Sequence, residues 1–317
     1  MSARAALLFL AAWASIGAWA QYPPLKSKVE AIEVTPRVFY VQGEPGVASA
    51  ANEGFNSNAG FVATERGIVV IDALGTPALG AALVRAIRTV SHDRITRVIV
   101  THYHADHFYG LEPLKKAGAE IWAHRDGAIA LNDGQSQRRL EQRSRDLFPW
   151  VDEKMPLIAA DRWLDGDTTF TINGMRFDLI HMGPAHSPED LVVALPGEGV
   201  IFTGDILFAG RVPFVGEADS KRWIERIDRL LAMKPQVMIP GHGEVSRDPR
   251  KDLGTTREYL VHLREVMGKA VADFVPFEEA YARADWSRFA KLPAFEAANR
   301  INAYGQYLVM ERELLGK

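Results

Sequence analysis

The run THYHADH (residues 101–107) constrains this chain most, because it directly follows ITRVIV, an apolar segment typical of a buried strand. It holds three of the nine histidines of the chain together with one aspartate. Strand alternation places His102 and His104 on the same side, so both side chains can point at one metal ion. Asp106 and His107 lie past the strand end and can turn to a second ion. The run therefore predicts a metal-binding loop presented by a strand.

Three later side chains stand in the same context, an apolar strand beside a turn of small residues. His186 lies in GPAHSPEDL, Asp205 ends the apolar run of IFTGD, and His242 lies between two glycines in IPGHGEV. One such residue alone is often structural, but seven together favour a shared metal site, since imidazole suits zinc, copper and iron and carboxylate can bridge ions. Four histidines fall outside this pattern and are expected to be structural or exposed: His92, His124, His181 and His262.

Composition places the chain among soluble globular proteins, with 47% hydrophobic and 24% charged residues in a length of 317. The net charge of −3 and the lack of a long Lys/Arg run disfavour nucleic acid or an anionic membrane as partner. The expected partner is a small-molecule substrate, and the oligomeric state is left open. Because the chain has no cysteine, it forms no disulfide bond.

Residues 1–20 have the organisation of a secretory signal peptide. Arg4 precedes an uncharged run that ends in Ala-Trp-Ala at residues 18–20. The run is short for a membrane span, which takes about 20 apolar residues, although an uncleaved N-terminal anchor is the alternative. We expect a mature chain that begins near Gln21, is periplasmic or secreted, and has no membrane contact after cleavage.

Strand-like segments come in two batches, each followed by helix-like segments, which predicts two sheets with helices outside them. Thr76 before a proline predicts the start of one helix, and Ser220 is predicted to cap another. The apolar spacing over residues 256–274 predicts a third, amphipathic helix. We expect one α/β domain over residues 21–250 and a C-terminal helical extension over residues 251–317 that packs on it.

The pattern H-x-H-x-D-H, with a later His, an Asp in T-G-D and a His in G-H-G, resembles the metallo-β-lactamase superfamily over roughly residues 34–245. The resemblance implies an αββα sandwich of two mixed β-sheets flanked by helices, with a two-metal site at one edge of the sheets. It implies that the first metal site consists of His102, His104 and His186, and the second of Asp106, His107 and His242. Asp205 would be the carboxylate that bridges the two ions.

The residue types agree with metal-dependent hydrolysis. Three neutral imidazoles leave the fourth position of a tetrahedral zinc open for water, whose pKa coordination lowers to about 7. We expect two Zn²⁺ per chain, with Fe or Mn also compatible, and a metal-bridging hydroxide that attacks an ester, thioester, lactone or amide carbonyl. Asp205 and Asp106 are expected to be catalytic as well as metal-binding, and Asp106 would orient the hydroxide or shuttle its proton. Weak hydrolysis of β-lactams is a further expectation.

Departures from the family's lactamases narrow the class. One lactamase subclass uses a Cys where this chain has Asp205, and another has H-x-H-x-D-H but lacks the bridging Asp. The set looks more like glyoxalase II, lactonases and other ester or thioester hydrolases. The segment that begins FTGDILFAG and the tail DWSRFAKLPAFEAANRINAYGQYL resemble periplasmic zinc metallohydrolases associated with quinoprotein dehydrogenases or sulfur oxidation.

Two other classes remain as alternatives. One is a mononuclear iron enzyme similar to persulfide dioxygenases, or another redox enzyme of sulfur metabolism, in which His102, His186 and Asp205 would hold the iron. The other is a metal-binding module without turnover, which the open coordination position disfavours.

Three residues are expected to lie near the substrate: Asn58, Tyr103 and Arg211. Asn58 closes the loop of residues 43–58, which would act either as a lid over the metals or as a plain connection. Tyr103 and Arg211 are predicted to border the pocket. The arginines among residues 138–145 would bind an acidic substrate or form a solvated helix face.

Overall fold

The structure is a computed structural model and describes residues 22–316. The predicted signal peptide at residues 1–20 lies outside the described residues. Between residues 22 and 316, none of the helices is both long and apolar enough to cross a membrane.

The strands of the described chain fall into an N-terminal and a C-terminal batch. The first batch is β1 (Ile32–Thr35), β2 (Val38–Val41), β3 (Ala59–Thr64), β4 (Gly67–Ile71), β5 (Ile95–Ile99), β6 (Glu120–His124) and β7 (Arg162–Leu164). The second batch is β8 (Thr168–Ile172), β9 (Met175–His181), β10 (Leu191–Leu195), β11 (Val200–Phe208) and β12 (Val237–His242).

Helices follow each batch and also separate some strands within it. They are α1 (Pro77–Val90), α2 (Ala105–Phe108), α3 (Leu111–Lys116), α4 (Asp126–Asn132), α5 (Gln135–Asp146), α6 (Ser220–Ala232), α7 (Pro249–Ala272), α8 (Phe277–Arg283) and α9 (Phe295–Leu314).

Each batch of strands forms its own sheet. Strands β1 to β7 pair in chain order, and the second sheet has the order β12-β11-β10-β9-β8. The first sheet is antiparallel up to β4 and parallel from β4 to β7. In the second sheet β11 and β12 are parallel and the remaining described pairs are antiparallel. Because parallel neighbours end at the same edge, the loops after β4, β5 and β6 lie together, as do those after β11 and β12.

Sequence determines which strands lie inside. Strands β4 (GIVVI) and β10 (LVVAL) are apolar throughout and buried at every residue, as expected of strands covered on both faces. Strand β8 (TTFTI) alternates threonine with larger apolar residues, and its burial alternates with the same period of two. It therefore lies at the end of the second sheet, where one face meets solvent.

Within residues 22–316, buried apolar side chains form three clusters, which define the layers. Val62 and Phe202 belong to the cluster between the sheets. Leu83 of α1 packs on the outer face of the first sheet. Trp223 of α6 and Leu260 of α7 pack on the outer face of the second sheet. The order helix, sheet, sheet, helix confirms the predicted fold class of two mixed sheets flanked by helices.

One of the three predicted helix starts is correct, and two shift. Thr76 caps α1, since its side chain accepts a hydrogen bond from the backbone N–H of Leu79 at 3.1 Å. Asp219, rather than Ser220, caps α6, where Ser220 is the first helical residue. The predicted start of α7 at residue 256 is wrong. The helix begins at Pro249, because Asp248 supplies the cap and proline suits the first helical position.

Helix α9 holds a loop of the second sheet in place through buried polar side chains. Asn302 Oδ1 accepts from the backbone N–H of Val215 at 2.8 Å, and its Nδ2 donates to the carbonyl of Pro213 at 2.7 Å. Gln306 Nε2 donates to the carbonyl of Gly216 at 2.8 Å. This helix belongs to the predicted C-terminal extension, and the division at residue 250 itself stays a prediction.

We expect Asn302→Ala to lower the free energy of unfolding by about 2–4 kcal/mol. The change leaves several buried backbone groups without a hydrogen-bond partner, and each such group costs about 1–3 kcal/mol. Urea unfolding measures this directly. Glu296→Ala, an exposed change in the first turn of α9, is the control and should shift the value by less than about 0.5 kcal/mol. Equal effects of the two changes would contradict the proposed role of Asn302.

Candidate metal centre

The seven predicted ligands converge at one edge of the sandwich. His102 and His104 follow β5, and α2 carries Asp106 and His107 directly afterwards. The remaining three come from the second sheet: His186 from the β9–β10 loop, Asp205 from within β11 and His242 from the end of β12. The backbone N–H of Leu191 donates to the carbonyl of Thr101 at 2.9 Å and joins the two sheets at this edge.

The first group consists of His102, His104, His186 and Asp205, whose ligand atoms all lie within 4.8 Å of one another. His104 Nδ1 lies 3.1 Å from His102 Nε2 and 2.8 Å from His186 Nε2. Asp205 Oδ2 lies 3.2 Å from His186 Nε2 and 3.8 Å from His102 Nε2. Lone pairs of three imidazole nitrogens this close repel unless a cation or a proton lies between them.

The second group consists of Asp106, His107 and His242, whose ligand atoms also lie within 4.8 Å of one another. Asp106 Oδ2 is 3.4 Å from His242 Nε2. Asp205 reaches this group as well, with Oδ1 3.2 Å from His107 Nε2 and Oδ2 3.4 Å from His242 Nε2. Asp205 therefore contacts both groups, which is the position that a bridging carboxylate requires.

These residues fit divalent metal ions. His107 Nε2 and Asp205 Oδ1 are buried 3.2 Å apart, and neither atom has another partner among residues 22–316. A bound cation would satisfy both atoms, and a buried polar atom left unpaired costs about 1–3 kcal/mol. Each group supplies three or four imidazole or carboxylate donors, which is the donor set of zinc.

Asp72, which the sequence analysis missed, orients ligands of both groups. It accepts hydrogen bonds from the backbone N–H and the Oγ1 of Thr101, each at 2.8 Å, and from His107 Nδ1 at 2.9 Å. Because the one proton of Thr101 Oγ1 goes to Asp72, this oxygen can only accept from His102 Nδ1, 3.0 Å away. His102 Nε2 therefore keeps a free lone pair, and both rings are fixed in orientation.

The loop before β3 supports the second group. His242 Nδ1 donates to the carbonyl of Asn56 at 2.7 Å, which leaves His242 Nε2 free to bind metal. Asn56 Nδ2 donates to Asp106 Oδ2 at 3.0 Å, and Ser57 Oγ donates to the Asp106 carbonyl. Residues 52–58 are buried under the centre, so this half of the predicted lid is a fixed support instead of a flap.

Two glycines permit the G-H-G turn around His242. A Cβ at Gly241 would lie 2.0 Å from Asp205 Oδ1, closer than any contact allows. Gly243 has φ +94°, in the left-handed region that favours glycine. The first glycine thus lets the strand approach the carboxylate, and the second lets the chain turn away.

Burial keeps the three imidazoles of the first group neutral. It lowers the pKa values of His102 and His104 well below the usual 6.5 and that of His186 to about 4. These three imidazoles are therefore uncharged at pH 7, and each has one ring nitrogen with a lone pair that can bind a metal ion.

The second group differs because carboxylates surround His107. Burial alone would lower its pKa, but Asp205, Asp72 and Asp106 together raise it well above 6.5. Burial would likewise raise the pKa values of Asp205 and Asp106, yet neighbouring imidazoles outweigh it and hold both far below the usual value. At pH 7 the second group therefore carries a proton on His107 that a metal ion must displace.

We expect stepwise zinc binding to the metal-free protein at pH 7, with more protons released by the second ion than by the first. The affinity of the second site for zinc should rise with pH up to the pKa of His107, because His107 must lose its proton before it binds the ion. The affinity of the first site should fall only at a pH well below 6.5. Calorimetric titrations in two buffers of different ionisation enthalpy measure the proton count. Equal proton release in the two steps would contradict this assignment.

The centre opens into a cavity with two adjoining parts, one of about 340 Å³ and one of about 490 Å³. The larger part is lined by ligands of both groups and by Arg139 and Arg143 of α5. Tyr103 lines the smaller part, and burial raises the pKa of its hydroxyl.

The other two predicted substrate residues do not face this cavity. Asn58 is 2% exposed, and its amide is used by the backbone: it accepts from Gly43 N–H at 3.0 Å and donates to the carbonyls of Pro240 and Gly243 at 2.9 and 2.8 Å. Arg211 is 3% exposed and lines a separate cavity of about 350 Å³. Asn58 thus joins the loop of residues 43–58 to β12, and Arg211 lines a different cavity from the one at the metal centre.

His124 and His181, expected to be structural or exposed, form a third cluster with Asp126. Their rings stack in parallel, with centroids 3.7 Å apart and an interplanar angle of 11°. The lone pairs of parallel rings run side by side instead of converging, and His181 Nε2 lies 3.0 Å from the carbonyl of Pro188. Stacking is therefore the better description of this cluster.

Comparisons with known proteins agree with this geometry. A family model described as "Metallo-beta-lactamase superfamily" matches residues 52–242. The metallo-beta-lactamase type 2 of Bacteroides fragilis is 24% identical over 233 residues, which cover 71% of this chain and 82% of that protein.

Two solved structures are similar in fold. A metallo-beta-lactamase from Pontibacter korlensis has a TM-score of 0.59 and 22% identity, covering 74% of this chain and 99% of the other. The sec-alkylsulfatase Pisa1 from Pseudomonas sp. has a TM-score of 0.66 and 18% identity, covering 91% of this chain and 50% of the other.

Proposed function

The chain belongs to the metallo-beta-lactamase superfamily as a metal-dependent hydrolase, and from this premise we propose that it uses two zinc ions to cleave an ester, thioester, lactone or amide. One observation carries the proposal: Asp205 lies within 3.2–3.8 Å of imidazoles from both ligand groups. The second group has three donors of its own beside the shared Asp205, which is enough to hold a second ion. This favours the dinuclear hydrolase over the mononuclear iron alternative.

The proposed ligands are His102, His104 and His186 for one ion and Asp106, His107 and His242 for the other, with Asp205 shared. Zinc ions bound there would polarise the carbonyl oxygen and lower the pKa of water, which supplies the nucleophile. No Ser or Cys nucleophile is needed.

The side chains around the proposed metal site bind the ions or orient the ligands. Asp106 has a pKa far below that of an ordinary carboxyl, because His107 and His242 outweigh its burial, so it serves as a charged ligand and hydrogen-bond acceptor better than as a proton store. Asn56 fixes its orientation through Oδ2. Asp72 keeps two imidazoles aimed at the centre, so little reorganisation accompanies the reaction.

The test is a hydrolysis screen with zinc-loaded protein, chelated protein and chelated protein to which zinc is returned. We expect zinc-dependent turnover of at least one ester, thioester, lactone or amide, and slow turnover of a β-lactam such as nitrocefin. An alkyl sulfate belongs in the screen, because a structurally similar protein is an alkylsulfatase. Turnover of the sulfate ester alone would overturn the carbonyl proposal, and turnover that survives complete chelation would overturn metal dependence.

We also propose that the protein is exported to the periplasm or secreted, and that its partner is a small molecule and not nucleic acid. The organisation of residues 1–20 and the net charge of −3 support this. N-terminal sequencing of the protein from the periplasmic fraction should begin near Gln21. An intact Met1 in the cytoplasmic fraction would contradict export.

A further inference from the structure

Two arginines of α5 enter the metal cavity. Arg139 and Arg143 are four residues apart, so they lie on one face of the helix, and both are half-buried in the cavity wall. Arg138 and Arg145 are exposed and do not line the cavity. The helix thus turns one pair of arginines toward the metal ligands and another pair toward solvent.

The positive charges of Arg139 and Arg143 are not used in ion pairs within the described residues. In this part of the chain, Arg139 Nη1 donates only a long hydrogen bond, 3.4 Å, to the carbonyl of Tyr103. Glu189, a carboxyl near Arg139, instead accepts the backbone N–H of Tyr103 at 3.0 Å. A half-buried guanidinium with no carboxylate at ion-pair distance has lost part of its hydration, and a bound anion would compensate for that loss.

The pair lies in the same cavity as the metal ligands. The part of the cavity that Arg139 and Arg143 line is also lined by five of the proposed ligands: His104, Asp106, His186, Asp205 and His242. An anion bound by the pair would therefore lie in the same cavity as the reacting group.

Other parts of the cavity wall are apolar. Val47, Phe214, Val215 and Ile301 line it, and Val47 and Ile301 remain 37% and 62% exposed. Glu217 also lines the cavity, but it forms an ion pair with Arg312 at 2.7 Å. The cavity thus combines a cationic wall and an apolar wall, which suits a substrate with an apolar body and one anionic group.

We propose that Arg139 and Arg143 bind a carboxylate of the substrate, remote from the bond that is cleaved, and so select acidic, partly apolar substrates. Paired guanidinium groups match a carboxylate through charge-assisted hydrogen bonds. The choice of a hydrolysable ester rests on the proposed function, whereas binding of the carboxylate does not.

The test compares two esters of nearly equal size, 4-nitrophenyl hydrogen glutarate and neutral 4-nitrophenyl valerate, on zinc-loaded protein. In Arg139→Gln and Arg143→Gln we expect KM for the glutarate ester to rise about tenfold or more each, with kcat and the kinetics of the valerate ester little changed. The matched control is the double variant Arg138→Gln/Arg145→Gln, which should leave both substrates unchanged.

Calorimetric binding of 4-phenylbutyrate, a carboxylate that cannot be hydrolysed, supplies a readout independent of turnover. Its Kd should rise about tenfold or more in Arg139→Gln/Arg143→Gln, stay unchanged in the control, and weaken with salt in the wild type. Unchanged Kd in the inward double variant, or an equal rise in KM for both esters, would overturn the proposal. If neither ester is hydrolysed but the Kd shift is seen, the carboxylate site stands and the hydrolytic function proposed for these esters fails.

Discussion

Replacing Asp205 by Ala should lower kcat/KM by about 10³-fold or more and release most of the bound metal. This side chain is 3% exposed, lies within 3.2–3.8 Å of imidazole nitrogens in both ligand groups, and keeps its negative charge despite burial. Metal ions contribute several kcal/mol of charge stabilisation, and each 1.36 kcal/mol is tenfold in rate. Removing the shared carboxylate should therefore cost more than removing a ligand of one group.

The measurements for this variant are zinc per chain and steady-state kinetics on the substrate that the screen identifies. Asp205→Asn preserves size but removes the charge, and we expect it to be nearly as impaired. Asp178→Ala, which removes a carboxylate of β9 that pairs with Arg176 and is not among the proposed ligands, is the control and should keep both metal and activity. Two zinc ions and activity within tenfold of wild type in Asp205→Ala would show that this carboxylate does not bridge the centre.

Replacing Asp72 by Ala should weaken zinc binding about 10–100-fold, although Asp72 is not among the proposed ligands. Its carboxylate accepts three hydrogen bonds, from Thr101 N–H, Thr101 Oγ1 and His107 Nδ1, at 2.8–2.9 Å. The change leaves these donors buried without an acceptor, so the metal-free protein should also lose about 3 kcal/mol or more of unfolding free energy.

Competition with a chromophoric chelator gives the zinc affinity of this variant, and urea unfolding gives its stability. The control is Asp146→Ala, an exposed carboxylate at the end of α5, for which both values should match wild type. Loss of stability with unchanged zinc affinity would show that Asp72 supports the fold without orienting the ligands.

The ligands could be predicted from sequence because a recognisable local sequence pattern marks them. A buried strand, a turn of small residues and a histidine or aspartate recur at His102, His186, Asp205 and His242. Asp72 ends the apolar run GIVVID in the same way as Asp205 ends its own strand. It was missed because nothing in its neighbourhood shows that its partners lie in the segment after β5.

Features that depend on long-range contacts could not be predicted. The amide of Asn58 meets the carbonyl of Pro240, 182 residues away, and this contact turns an apparent substrate residue into a support for β12. The sequence does not distinguish the four arginines among residues 138–145 from one another. Only the packing of α5 shows which pair lines the cavity and which pair faces solvent. The predicted start of α7 failed for a different reason, since its first turn is polar and the apolar spacing begins later.

Metal content per chain, measured by elemental analysis of protein isolated from the compartment in which it matures, tests the central claim most directly. Two ligand groups joined by Asp205 predict about two zinc ions per chain, falling to about none in Asp205→Ala. About one iron per chain with little zinc would contradict the dinuclear hydrolase and favour a redox enzyme built on His102, His186 and Asp205.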